Sequence, residues 1–220
     1  MNTQATISLL AMCLALPACA TFDEIPHDRD YDQLEARTYD MKNFHRINID
    51  ADGEIVIKRG DAYKVVIYTE PHHFPALKLN VDDGVLNVMH PDRKHSKSHV
   101  IMDIKAPYLD DIRIDAVVEA NIENLKADNL NLHLSSVGDI EIEGVCENLK
   151  LHVSGIGDFD ARNLNCNNVE AKVSGIGDTK IKALESISIR SSGIGDVSVY
   201  GNPRVNSSKA SGIGDMNFKN

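Results

Sequence analysis

Five stretches decide how this chain folds: SSVGD at 135–139, and SGIGD at 154–158, 174–178, 192–196 and 211–215. Their closing aspartates, Asp139, Asp158, Asp178, Asp196 and Asp215, are spaced by 19, 20, 18 and 19 residues. A period near 20 residues, sustained this often, is a solenoid signature. A fainter copy, Asp115-Ala116-Val117-Val118-Glu119, ends twenty residues before Asp139.

The flanks say which solenoid. Alternating apolar runs precede the motif, as in Leu149-x-Leu151-x-Val153 and Val169-x-Ala171-x-Val173, and others follow it, as in Ile140-x-Ile142 and Thr179-x-Ile181. A period of two marks half-buried strands. Gly, Ser, Asn and Asp are too frequent for helical repeats. Each period therefore holds a strand, a glycine-rich element, a second strand and an Asn-rich return such as 163–168. Stacked in parallel, such coils form a β-helix, because no single coil buries its apolar side alone.

Parity places the motif's side chains. Over 169–181 the odd positions include Val173, Gly175, Gly177 and Thr179, and the even ones Lys172, Ser174, Ile176 and Asp178. If the backbone stays extended, both glycines face inward at a place too narrow for a side chain, while Ser, Ile and Asp face out. Glycines with φ > 0 would instead turn a corner and break the alternation.

Stacking turns equivalent letters into columns about 4.8 Å apart. One column is Val137, Ile156, Ile176, Ile194 and Ile213, an apolar stripe that is either a contact surface or covered by the amino-terminal segment. A second holds the five repeat aspartates, which repel by about 1 kcal/mol per neighbouring pair in a water-like dielectric. Calcium would offset that, but hydrogen bonds from nearby turn amides suffice, so no cofactor is expected. A third column, His133, His152, Lys172, Arg190 and Lys209, starts six residues earlier, about 20 Å along an extended chain. That is too far for ion pairs with the aspartates, and a solvated face accounts for it. Cys146 and Cys166 share a phase on adjacent coils, so their Cα atoms fall within disulfide range. Parallel side chains would strain the bridge, and both a disulfide and two free thiols stay open.

Upstream the pattern changes. Short alternating runs over 44–110 are separated by turn signals at Asp52-Gly53, Arg59-Gly60-Asp61 and Asp82-Asp83-Gly84. Strand follows strand, which gives a small antiparallel or mixed β-region over 41–110 ahead of β-helix repeats over 111–220. Residues 20–40, rich in Asp and Glu, read as a linker. Residues 7–18, ISLLAMCLALPA, form a secretory h-region too short to span a bilayer, so 1–19 is read as a signal peptide. Ala18-Cys19-Ala20 fits ordinary cleavage, whereas Leu16-Pro17-Ala18-Cys19 resembles a bacterial lipobox with Cys19 as the lipidated residue. The mature chain is then exported, to the periplasm or, lipid-anchored, to the outer membrane of a Gram-negative cell. The lipid is its sole expected membrane contact.

Among 220 residues, 33 Asp and Glu outweigh 23 Lys and Arg, for a formal charge of −10, which argues against a nucleic-acid partner. Aromatic residues are 5% and Trp is absent, so base-stacking platforms are not expected. His72-His73 and the run HPDRKHSKSH, with His90, His95 and His99, lack zinc-like spacing with companion ligands and read as surface histidines.

The chain resembles the head GIN domain family, named as heads of auto-transporter adhesins. The resemblance covers 41–220. It rests on Phe44 to Ile57, Gly84-Val85-Leu86, Ala106-Pro107-Tyr108-Leu109, the repeated S-G-x-G-D and Tyr200-Gly201-Asn202-Pro203. Family members usually carry Ser between the glycines, where this chain has Ile four times. The resemblance implies an all-β, right-handed parallel β-helix with coils of about 19 residues, on bacterial cell-envelope proteins without established enzyme activity. A non-catalytic, adhesin-like or structural role follows, with an unknown surface protein or glycan as partner. The alternative is a carbohydrate-active β-helix enzyme, a polysaccharide lyase or hydrolase. Repetition argues against it, because an active site needs one special constellation rather than five equivalents. The last coil shows no polar cap, so a homo-oligomer through it is also expected.

Overall fold

Apolar residues at every second position, punctuated by Gly, Asn and Asp, commit the backbone to strands that bury one side. The computed structural model describes residues 34–91 and 100–219. Its early strands are β1 (Glu35–Tyr39), β2 (Arg46–Asp50), β3 (Gly53–Arg59), β4 (Lys64–Thr69), β5 (Lys78–Asp82), β6 (Val85–Met89), β7 (Ile101–Ala106) and β8 (Asp111–Ile114). The repeats supply β9 (Val118–Val137), β10 (Ile140–Ile156), β11 (Phe159–Val173), β12 (Thr179–Ser191), β13 (Val197–Tyr200), β14 (Arg204–Ala210) and β15 (Met216–Lys219). A 3-10 turn, Phe74–Ala76, interrupts them. Among the described residues no helix is long and apolar enough to cross a membrane.

The repeats stack in parallel, coil upon coil, as their period requires. Two walls recur in each winding. The first carries the run before the motif, with Leu151, Ala171 and Ile189 aligned inward. The second carries the run after it, where Ile140 lies beside Phe159 and Phe159 beside Thr179. Repeat lengths differ, yet from β9 to β12 both walls keep register, because the slips there fall in the return, between Glu141 and Gly144 and between Ala161 and Asn168. The last coil slips within the first wall, where Ile187 pairs with Val205 and Ser188 with Ser207. Surface loops absorb an extra residue at little cost, whereas a slip within a wall would turn its apolar set outward.

The mixed region is woven into the same stack. β2 pairs in parallel with both β6 and β8, and β3 in parallel with both β7 and β9. The 46–59 coil thus sits between two strands made later in the chain, 85–89 and 101–106, and the 111–123 coil. Among the described residues, antiparallel pairing is confined to β1 with β4, β4 with β7, and β5 with β6. One apolar core runs from Phe44 to Val199, and Asp32–Asn220 forms one compact unit.

Two expectations need correction here. Residues 35–39, read as linker, form β1, held to β4 by backbone pairing and anchored where the Arg37 guanidinium lies 3.8 Å from the centre of the Phe74 ring. His90, read as a surface loop residue, is buried, and neither of its ring nitrogens is hydrogen-bonded among the described residues. The signal peptide, Cys19, His95 and His99 lie outside the described residues.

Candidate binding site

The SGIGD corner is shaped by the backbone of the coil before it. Gly177 has φ +134°, and a Cβ there would overlap the carbonyl oxygen of Gly157. The second glycine of the motif thus takes the positive-φ alternative, and its missing side chain would point along the stack rather than into the core. The alternation nonetheless survives: Ser174, Ile176 and Asp178 are exposed, while Val173 and Thr179 on either side are buried. Positive φ and preserved parity coexist because the bend leaves the flanking strands in phase.

Each repeat aspartate from Asp139 to Asp196 stabilises the next coil. The Asp178 amide donates to Asp158 Oδ1 at 2.8 Å, and the Asp196 and Asp215 amides donate in turn to Asp178 and Asp196 at 2.9 Å. Asp139 Oδ1 accepts from the Asp158 amide at 2.8 Å. A carboxylate accepting an N–H is a strong, charge-assisted hydrogen bond, and it offsets the repulsion along the column. Two residues before each aspartate stands the apolar stripe, Val137, Ile156, Ile176, Ile194 and Ile213, joined by parallel bridges that also reach Val117. These side chains are exposed, from 45% at Val137 to 72% at Ile213.

The first wall's outer face is chemically different. Arg113, His133, His152, Lys172, Arg190 and Lys209 are partners in successive strands, so the basic column gains Arg113 at its upper end. His133 and His152 stack with ring centres 4.7 Å apart. Burial, with Arg113 and His152 nearby, holds the His133 imidazole below the usual histidine range, so the neutral form is favoured there.

Four residues before this column runs a ladder of amides. Asn148 Nδ2 donates to Asn129 Oδ1 at 3.1 Å, Asn168 Nδ2 to Asn148 Oδ1 at 3.4 Å, and the Ser186 hydroxyl to Asn168 Oδ1 at 2.7 Å. Between ladder and column lies a shallow groove of about 810 Å³. Single-sequence reading found the column but not the groove, whose signal was an Asn or Ser at one phase of consecutive repeats.

Other polar groups are spoken for structurally. Cys146 and Cys166 are joined in a disulfide across adjacent coils, with Cα atoms 4.5 Å apart and both side chains buried. On the second wall, Asp160 is half-buried, which alone would raise its pKa, but hydrogen bonds and charge from Arg162, with Lys180 beyond, leave the carboxyl below its usual range. A depressed carboxylate pKa adds stability above the unfolded value, about 4, that is lost as pH falls through the folded value. The urea-midpoint difference between wild type and Asp160→Asn is therefore expected to be constant near neutrality and to vanish in acid. Glu70, His72 and His73 converge on one turn with ligand-type atoms within 4.8 Å of one another. Within that turn His72 Nδ1 lies 3.4 Å from Glu70 Oε2, an exposed ion-pair geometry.

A family model described as Putative auto-transporter adhesin, head GIN domain, matches residues 43–203. The crystal structure of a putative adhesin from Bacteroides fragilis is similar over 86% of this chain and 98% of its own, with 26% identity and a TM-score of 0.71. A putative adhesin from Parabacteroides distasonis, 16% identical, shares the fold with a TM-score of 0.50 over 84% of this chain and 97% of its own. No curated protein matches the chain.

Proposed function

The chain belongs to the head GIN domain family, and on that premise we propose that it is an exported cell-envelope protein with a non-catalytic, adhesin-like binding role. The observation that carries this reading is repetition of exposed chemistry. Val117, Val137, Ile156, Ile176, Ile194 and Ile213 offer one apolar contact per coil, flanked by the aspartate ladder. Monomeric proteins seldom leave so regular an apolar stripe open to water without a partner for it. The aspartates' hydrogen bonds serve the fold, which supports a binding surface over a set of acids waiting for substrate. Export rests on the hydrophobic leader at 7–18, and lipid attachment at Cys19 on the Leu16-Pro17-Ala18-Cys19 run. Self-association through the last coil belongs to the same reading: β14 and β15 pair only with the preceding coil among the described residues, leaving Val205 and Phe218 exposed.

Adhesion of cells displaying the full chain tests the role. Ile156→Ser, Ile176→Ser and Ile194→Ser are each expected to weaken adhesion a few-fold and the triple variant to abolish it, as contacts spread over an interface do. Loss of all adhesion at one coil, with the others silent, would point to a single active locus and sink the proposal.

A further inference from the structure

We propose that the groove on the first wall binds a linear acidic polysaccharide running along the stack, its carboxylates on Lys172, Arg190 and Lys209 and its hydroxyls on the asparagine ladder. The envelope role proposed above supplies only the setting in which such a polymer is met; the binding itself stands on the groove.

The two charged columns differ in how the fold treats them. Each repeat aspartate from Asp139 to Asp196 receives a backbone N–H from the next coil. The cations receive no such counterpart. Ion pairs such as Lys58–Glu123, Lys64–Asp103 and Arg162–Asp160 lie elsewhere, and among the described residues none is formed by Lys150, Lys172, Arg190 or Lys209. The groove holds these four cations against one carboxylate, Glu170. Like charges one coil apart repel by about 1 kcal/mol per pair even in a water-like dielectric, so a bound anionic chain relieves a cost the fold leaves standing.

The opposite rim specifies the kind of anion. Asn129 spends one acceptor site on the ladder, and Asn148 and Asn168 one N–H and one acceptor site each, so every amide keeps an N–H and a lone pair for a ligand. Amides that both donate and accept suit hydroxyl groups, which do the same. No aromatic side chain lines the groove, so stacking of bases is unsupported. The apolar residues that line it, Leu130, Leu149, Val169 and Ile189 among them, are buried in the core, while Ser188 and Ser207 line it as polar groups, so it offers no exposed apolar anchor for a bilayer. A column repeating at each coil matches a ligand whose charges also recur along its length, which a small anion does not require.

Titration of the folded full chain with polygalacturonate, and with dextran as the uncharged polymer, tests the site. Polygalacturonate is expected to bind, and to weaken steeply as salt is added; dextran should not bind detectably. Lys172→Glu/Arg190→Glu should weaken polygalacturonate about tenfold or more, given the strength of hydrogen bonds to charged groups. Asn148→Ala/Asn168→Ala should weaken it several-fold without changing the salt slope. These positions are exposed or half-exposed, and a cooperative urea transition with unchanged slope verifies that the variants fold. Polygalacturonate binding that is unaffected by the double charge reversal overturns the site. Equal or tighter binding of duplex DNA or of anionic phosphatidylglycerol vesicles overturns the ligand class. An affinity that falls as protein concentration rises would show a second copy in the groove and overturn it likewise. Serine variants of the isoleucine stripe should leave polygalacturonate binding intact, so loss of adhesion and loss of polymer binding are separately readable.

Discussion

Gly177→Ala is expected to lower stability by about 4 kcal/mol, read as a fall in the urea midpoint with an unchanged slope. The cost has two sources. An L-residue at φ +134° is held in a region that disfavours any Cβ, by about 1–3 kcal/mol. The new methyl would also overlap the Gly157 carbonyl oxygen, so two coils must part where their backbones are hydrogen-bonded. Neighbours in the motif set the scale. Ile176→Ala, one residue away and pointing into water, should change stability by no more than about 0.5 kcal/mol. Gly175→Ala should fall between, since its Cβ would stand 2.7 Å from the Gly155 oxygen, without a positive φ. A ranking with Gly177→Ala no worse than Ile176→Ala would remove the account of why the motif keeps two glycines. Failure of the variant to fold is the extreme of the expected result.

Much of this architecture was legible because a solenoid writes its contacts into its period. The 18-to-20-residue spacing places Asp158 beside Asp178 and Cys146 beside Cys166, as their registers show. Alternation correctly sorted Val173 and Thr179 from Ile176 and Asp178. What alternation does not encode is the partner. The same Ile47-x-Ile49 pattern would serve beside any strand, so the insertion of the 46–59 coil between β6 and β7 on one side and 111–123 on the other left no trace in the letters. Parity was silent on φ for a similar reason: Gly177 can turn its hydrogens toward Gly157 while Asp178 still faces out.

The binding groove was hidden by averaging. A net charge of −10 says that the whole molecule repels anions, but the stack segregates its charges by column. Lys172, Arg190 and Lys209 gather on the first wall while Asp158, Asp178 and Asp196 gather at the corner. Read as letters, the cations looked like an ordinary solvated face. It took the hydrogen-bonded Asn129–Asn148–Asn168 ladder beside them to define a second rim. His90 was missed through its neighbours, since a polar run follows a residue whose own position is closed by the fold.

Removal of the Cys146–Cys166 disulfide should lower stability by about 3 kcal/mol, whether by reduction of the wild type or by Cys146→Ala/Cys166→Ala. The bond closes a loop with a sequence separation of 20, one full coil, and restricts the unfolded chain by that much. Alanine is the right replacement, because both sites are buried and serine would add hydroxyls there. The consequence is not uniform along the stack. In a solenoid each coil leans mainly on its neighbours, so loosening the 140–156 and 159–173 coils weakens the tie between the earlier and the later windings. The coils after 173 contain the largely exposed β14 and β15 and have the least core of their own. They should gain amide exchange first, while β3 and β7, packed between parallel neighbours and β4, stay protected. Equal stability of oxidised and reduced protein would show that the bridge is incidental to the stack. Uniform loss of protection from β2 to β15 would show instead that the coils unfold as one, and the nearest-neighbour picture would fail.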